Sequence, residues 1–217
     1  PRSTLLPYTT LFRSTPISSN TGLESSRKFR RTLRTRIGSP YVIAGMDQLL
    51  AEGYARVMGY EANGGFLLAS TLREEGRRLE PLPTRDAILP MLAALIAAAQ
   101  AGAPLSGLLQ ELPQRYTSSD RVQNFPTERS RELLARYQEG GGNLAAFNED
   151  FSGLGFVGTA MDLTDGVRMQ SDADEILHLR PSGNAPELRC YVEAATAERA
   201  DALLAAAMQR LHSWKSV

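Results

Sequence analysis

Reactive side chains are scarce in this chain: one cysteine, two histidines and one tryptophan in 217 residues. Cys190 alone excludes an internal disulfide, and His178 and His212 are too few for a His/Cys metal site. Neither sign of charge is in excess. Lys plus Arg and Asp plus Glu are 24 each, so no net field recruits nucleic acid or an anionic membrane. Long hydrophobic runs are missing too. The longest, Ala87 to Ala99, is interrupted by Pro90 and falls short of the ~20 residues a bilayer span needs. What remains is an ordinary globular composition, 42% hydrophobic and 22% charged, with room for two modest domains. A cytoplasmic, reducing location is expected, with no nucleic-acid and no membrane partner.

Residues 1–14, PRSTLLPYTTLFRS, have no acidic residue and no apolar period. PYTTLFRS reads as the translation of a common sequencing-adapter oligonucleotide. The segment is therefore set aside as non-native, and its removal is expected to leave stability unchanged.

Residues 15–115 alternate strand and helix. Thr15-Pro16-Ile17 closes a strand, Arg34 to Ser39 is a short strand and turn, and Pro40 suits the first turn of a helix. Val42, Met46, Leu49, Leu50, Val57 and Met58 recur near helical spacing, which predicts a helix stopped by Gly59. Phe66 to Ser70 reads as a buried strand. Thr84 is expected to cap another helix, apolar nearly all round to Ala101 and hence assigned to the core. This order predicts a partial doubly wound α/β domain, in which polar residues at strand ends line the ligand crevice.

Residues 116–217 predict an α+β domain, an antiparallel sheet with helices on one face. Its parts are a strand over 117–125, a helix from Thr127 to Tyr137, and a hairpin around Asp165-Gly166. Two more strands follow, then a helix capped by Thr196 with an apolar stripe of Ala200, Leu203, Leu204, Ala207, Met208 and Leu211. In the last strand Leu188, Cys190, Val192 and Ala194 share one face, so Cys190 is expected to be a buried, inert thiol.

The stretch between the last two strands, Arg180-Pro-Ser-Gly-Asn-Ala-Pro-Glu, concentrates hydrogen-bond donors. Arg180 brings a planar fork, Ser182 a hydroxyl, and Gly183 and Asn184 backbone N–H groups. Pro181 and Pro186 fix backbone angles, and Gly183 permits a conformation closed to other residues. Convergent donors with no carboxylate before Glu187 suit a phosphate dianion. Composition alone equally allows an ordinary Pro/Gly turn with a solvated Arg. A second loop, Gly59-Tyr-Glu-Ala-Asn-Gly-Gly, sets the Glu61 carboxylate two residues from the Asn63 amide. Such a pair fits adjacent sugar hydroxyls, or is a solvated turn. Asp172, Asp174 and Glu175 read as a solvated acidic turn, and Arg34 and Arg36 either steer anions or line a surface.

RPSGNAPELRCYVEA resembles the phosphate-binding signature of the α-D-phosphohexomutases, the family of phosphomannomutases and phosphoglucomutases, usually written RPSGTEPxxRxYxEA. Asn184 and Ala185 depart from the common Thr and Glu. The Glu61 loop is similar to the family's sugar loop, usually GEXSGH, with Asn63 in place of Ser. RTRIGSPYVIAGM, residues 34–46, is similar to the segment before that loop. The resemblance covers residues 15–217 and implies the later part of the family's third domain plus its fourth. It implies phosphate binding by Arg180, Ser182, Gly183 and Asn184, and sugar binding by Glu61, Asn63 and Ser39. The partner it implies is a hexose phosphate, mannose or glucose 1- or 6-phosphate. The family also needs a phosphorylated serine in a TASHNP-like loop and a three-aspartate magnesium loop resembling DGDxDR. Neither string occurs here. No catalytic residue and no metal ligand are therefore assigned, and an inactive C-terminal fragment of a phosphomannomutase-like enzyme is expected. Alternatives are a fragment of a phosphoglucomutase or a phosphoglucosamine mutase, or a non-catalytic sugar-phosphate-binding protein.

Overall fold

The computed structural model describes residues 12–74 and 76–215, in two compact units that divide between Pro113 and Gln114. The first unit runs β1 (Phe12–Pro16), α1 (Gly22–Ser25), β2 (Arg31–Thr35), α2 (Ser39–Ala51), β3 (Val57–Tyr60) and β4 (Phe66–Leu68). It continues through β5 (Leu72–Glu74), β6 (Arg77–Leu79), β7 (Leu82–Asp86), α3 (Ile88–Ala101) and a 3₁₀ turn, Leu105–Glu111. One mixed sheet has the order β2-β1-β3-β4-β7. Strand β1 lies parallel to both β2 and β3, and β3, β4 and β7 follow antiparallel. Helix α2 turns Val42, Met46 and Leu49, spaced by four and three, onto Phe12, Val57 and Leu67.

Several expectations for this unit are corrected. Helix α2 ends at Ala51, because Gly53 takes a left-handed φ of +88°, and Val57 and Met58 belong to β3. Their helical spacing is a coincidence of the sequence. Thr84 lies inside β7, and Asp86 instead accepts the N–H of Ile88 at 2.7 Å to start α3. Helix α3 is not core: Ile88 is 62% and Ile96 56% exposed, and Ala98 is its only buried residue. An all-round apolar helix has no polar face to mark its orientation, so burial there was not readable. Finally, the strand that Thr15 closes takes in Phe12, Arg13 and Ser14 of the segment set aside. Phe12, Arg13 and Ser14 pair with both neighbours in the middle of the parallel strands and are buried. The rest of the segment set aside, residues 1–11, lies outside the described residues.

The second unit contains β8 (Tyr116–Gln123), α4 (Thr127–Gln138), α5 (Leu144–Asp150), β9 (Gly158–Asp162), β10 (Val167–Ser171), β11 (Ile176–Pro181), β12 (Glu187–Ala194) and α6 (Ala197–Lys215). Its sheet order is β8-β12-β11-β10-β9, antiparallel throughout. Leu177, Leu179, Leu188, Cys190 and Val192 join Phe147, Phe151, Leu203 and Leu211 in one core between sheet and helices. Thr196 accepts the N–H of Arg199 at 3.1 Å and so caps α6. Burial pushes the Cys190 thiol up to about 12, which removes it as a nucleophile. On the opposite sheet face, cross-strand pairing sets His178 between Arg168 and Tyr191, and Arg180 beside Arg189. No described helix is long and apolar enough to cross a membrane.

Candidate functional site

The Glu61 loop joins β3 to β4 and is closed by two backbone bonds, Glu61 N–H to Gly65 O at 2.8 Å and Gly64 N–H to Glu61 O at 3.0 Å. Asn63 accepts the N–H of Gly65 at 3.0 Å through its side-chain oxygen, which tightens the turn, and the residue is exposed. Ser39, the first residue of α2, donates its hydroxyl to Glu61 Oε2 at 2.7 Å. Ser39 and Glu61 therefore meet, and Asn63 faces the solvent beside them. Glu61 is only 7% exposed, yet its second carboxylate oxygen is able to accept from a hydroxyl. Arg85 of β7 lies 3.8 Å from Glu61 and, with Asn63, Gly65 and Asp86, lines a cavity of about 680 Å³. No motif marked Arg85; only the β4–β7 pairing brings it to the loop.

The Arg180 loop joins β11 to β12. Ser182 N–H bonds Glu187 O, and Glu187 N–H bonds Ala185 O, each at 2.8 Å. The Ser182 hydroxyl accepts the N–H of Asn184 at a long 3.4 Å and is itself buried. Of the expected donors, the Asn184 N–H is thus already engaged, while the Ser182 hydroxyl accepts and keeps its own proton to donate. Gly183 does not need a left-handed backbone, which corrects that expectation. What it offers is space: an added Cβ would meet nothing within 4 Å, so an anion can approach the main chain there. Arg180 is neither a free surface side chain nor a closed pair. Its Nε stands 2.8 Å from Asp165 Oδ2, and among the described residues no hydrogen bond engages its two terminal nitrogens.

Residues 4–116 match the family described as phosphoglucomutase/phosphomannomutase, alpha/beta/alpha domain III. Residues 155–210 match phosphoglucomutase/phosphomannomutase, C-terminal domain. The chain belongs to this family. The first match takes in residues 4–14, which sequence reasoning had set aside. A phosphomannomutase of Sinorhizobium fredii is 45% identical over 200 residues, 92% of this chain and 41% of that protein. A phosphomannomutase of Salmonella muenchen is 43% identical over 192 residues, 85% of this chain and 37% of that protein. The chain thus spans about two fifths of the length of these relatives. A solved phosphoglucomutase/phosphomannomutase family protein from Burkholderia thailandensis shares the fold, with TM-score 0.62, 16% identity, and 95% of this chain and 38% of that one covered.

Other charged residues serve the fold. Arg34 pairs with Glu24 at 2.7 Å and donates to the carbonyls of Ile17 and Asn20, so it braces the chain after β1. Glu175 of the acidic turn is held by Arg199 at 2.7 Å, and Asp174 accepts from Gln170 at 2.9 Å. Among the described residues no three His, Cys, Asp or Glu side chains gather to hold a metal ion. A second cavity, about 780 Å³, lies along β8 and is lined by Arg121, Arg189, Tyr191 and His212. It contains none of the expected site residues.

Proposed function

We propose that this chain is the substrate-recognition part of a phosphomannomutase-like enzyme that interconverts hexose 1-phosphate and hexose 6-phosphate. The observation that carries this is the Arg180 loop: a guanidinium paired with Asp165 through Nε, near an open main-chain step at Gly183, in a chain whose relatives are named phosphomannomutases. In the reaction the family resemblance implies, a phosphoserine passes its phosphoryl group to the hexose phosphate. The bisphosphorylated intermediate turns over and returns its other phosphate to the serine. A distal phosphate must then be gripped in either orientation. That role falls to Arg180, Ser182, Gly183 and Asn184, while Glu61, Asn63 and Ser39 take hydroxyls. Positioning of this sort contributes several kcal/mol to such a reaction without breaking a bond.

The resemblance also implies magnesium in the whole enzyme. The residues present do not fit it, since no described cluster of carboxylates is available, and no step is assigned to it here. A cytoplasmic location belongs to the same proposal. Calorimetric titration of the chain with mannose 6-phosphate and glucose 6-phosphate tests it. Saturable binding that needs the phosphate is expected, and binding equal to that of the free sugar ends the proposal. With mannose 1-phosphate, catalytic 1,6-bisphosphate and magnesium, no turnover above buffer is expected from a sequence without the phosphoserine and three-aspartate loops.

A further inference from the structure

A phosphate fork works only if it is aimed, and the turn between β9 and β10 is built against Arg180. The Arg180–Asp165 pair is half-sequestered, its side chains 16% and 8% exposed. Nε stands 2.8 Å from the carboxylate, an ion pair without hydrogen-bond alignment, on one edge of the guanidinium, and the two terminal nitrogens form the other. Asp165 is pinned in turn. His178, two residues before Arg180 on β11, donates from Nε2 to the Asp165 backbone carbonyl at 2.7 Å. Burial pushes His178 down to about 4, so its ring is neutral at pH 7 and this nitrogen carries the proton. Gly166 follows with φ of +86°. A Cβ there would collide with the Leu179 carbonyl oxygen and stand 3.1 Å from Arg180 Cα, so the turn lies directly on the backbone that carries the arginine.

Resting on the phosphate role of the loop, we propose that Asp165 is the positioning residue of the clamp. It holds Arg180 by the Nε edge and leaves both terminal nitrogens to take two oxygens of a phosphate monoester. Simple electrostatics predicts the reverse effect. A carboxylate this near repels an anion, so neutralising it should tighten phosphate binding unless it acts by holding Arg180. The two accounts differ in sign.

The test uses the whole chain as wild type, Asp165→Asn, Asp165→Glu and Arg180→Ala. Without ligand, the side-chain Nε–H signal of Arg180, identified by its loss in Arg180→Ala, should be ordered in the wild type and mobile in Asp165→Asn by heteronuclear relaxation. In titrations with mannose 6-phosphate followed by phosphorus NMR, Asp165→Asn should weaken binding about tenfold, a change of about 1.4 kcal/mol. Its unfolding midpoint should stay near wild type, and Asp165→Glu should recover part of the affinity. An ordered Arg180 in Asp165→Asn overturns the proposal, as does affinity equal to or tighter than wild type. Wild-type affinity in Arg180→Ala, or no phosphate-ester binding at all, fails the loop's phosphate role and removes the aiming role of Asp165 with it. The ligand-free signal then reads separately whether Asp165 holds the side chain.

Discussion

Ser39 donates a hydrogen bond from its hydroxyl to Glu61 at 2.7 Å, joining the start of α2 to the β3–β4 loop across 22 residues of sequence. The bond fixes one carboxylate oxygen and leaves the other to a ligand. If that oxygen takes a sugar hydroxyl, Ser39→Ala should weaken hexose-phosphate binding by roughly 0.5–1.5 kcal/mol, the value of one neutral hydrogen bond. Glu61→Gln should cost more, because a carboxylate accepts more strongly than an amide. Affinity for inorganic phosphate should not change in either variant. Calorimetric titration with both ligands checks this, and equal losses for the two would remove the hydroxyl-binding role.

The parts of this fold that were readable in the sequence are those where one physical pattern dominates. Alternation in Leu188 to Ala194 matches burial up to Val192, because one sheet face meets a core; Glu193 departs from it, buried at 4% against Arg115. The α6 stripe holds for the same reason. Where no contrast exists, as along α3, period says nothing about orientation. The loops were found as strings of residue types, but their couplings were not. Ser39–Glu61, Arg85–Glu61 and Asp165–Arg180 are contacts between segments 22, 24 and 15 residues apart, set by sheet pairing. Composition also misled at the start of β1, where Phe12 to Ser14 lack a period because the strand is buried on both sides.

That buried strand reverses the expected effect of truncation. Phe12 is 6% exposed and stacks on Tyr54 with ring centroids 3.9 Å apart. Phe12→Ala should cost about 3–5 kcal/mol, and removing residues 1–14 at least as much, since β2 and β3 then lose their shared neighbour. Met91→Gln on the exposed side of α3, where Met91 is 59% exposed, should stay within about 0.5 kcal/mol and serves as the control. Hydrogen exchange of the α2 amides measures all three. Unchanged protection after the truncation would show that residues 12–14 do not pack.

His178 should make the second unit acid-sensitive. The ring stacks on Tyr191, faces Arg168 and Arg180, and bonds the Asp165 carbonyl. Burial first, then Arg168, hold it at about 4, against 6.5 when unfolded, so the unfolded chain binds more protons between these values. Stability from this group is full above pH 6.5 and is lost as pH falls toward 4, by up to about 3 kcal/mol. Carboxylates titrate in part of the same window, so the comparison must be with His178→Gln. Urea unfolding should show a smaller loss between pH 7 and 4.5 in that variant, and equal slopes would refute the assignment.

Arg180 decides whether the loop is a phosphate clamp or a turn. Its guanidinium has two working edges, one already facing Asp165 and one unengaged. Lysine has a single charged nitrogen, so Arg180→Lys can stay with Asp165 or reach a phosphate but cannot do both with a planar fork. Arg180→Lys should therefore bind hexose phosphates nearly as poorly as Arg180→Ala, although charge is kept. The loss for Arg180→Ala should be roughly 1.5–3 kcal/mol, the range for a hydrogen bond to a charged group. Ser182→Ala should lose only about 0.5–1.5 kcal/mol, since its hydroxyl is buried and partly occupied by the Asn184 N–H. Each variant should melt near wild type, because neither side chain is part of the hydrophobic core cluster of the second unit. A solvated arginine in a Pro/Gly turn predicts instead that Arg180→Ala binds mannose 6-phosphate as the wild type does. Titration of the three variants with that one ligand separates the two accounts by the order of their affinities.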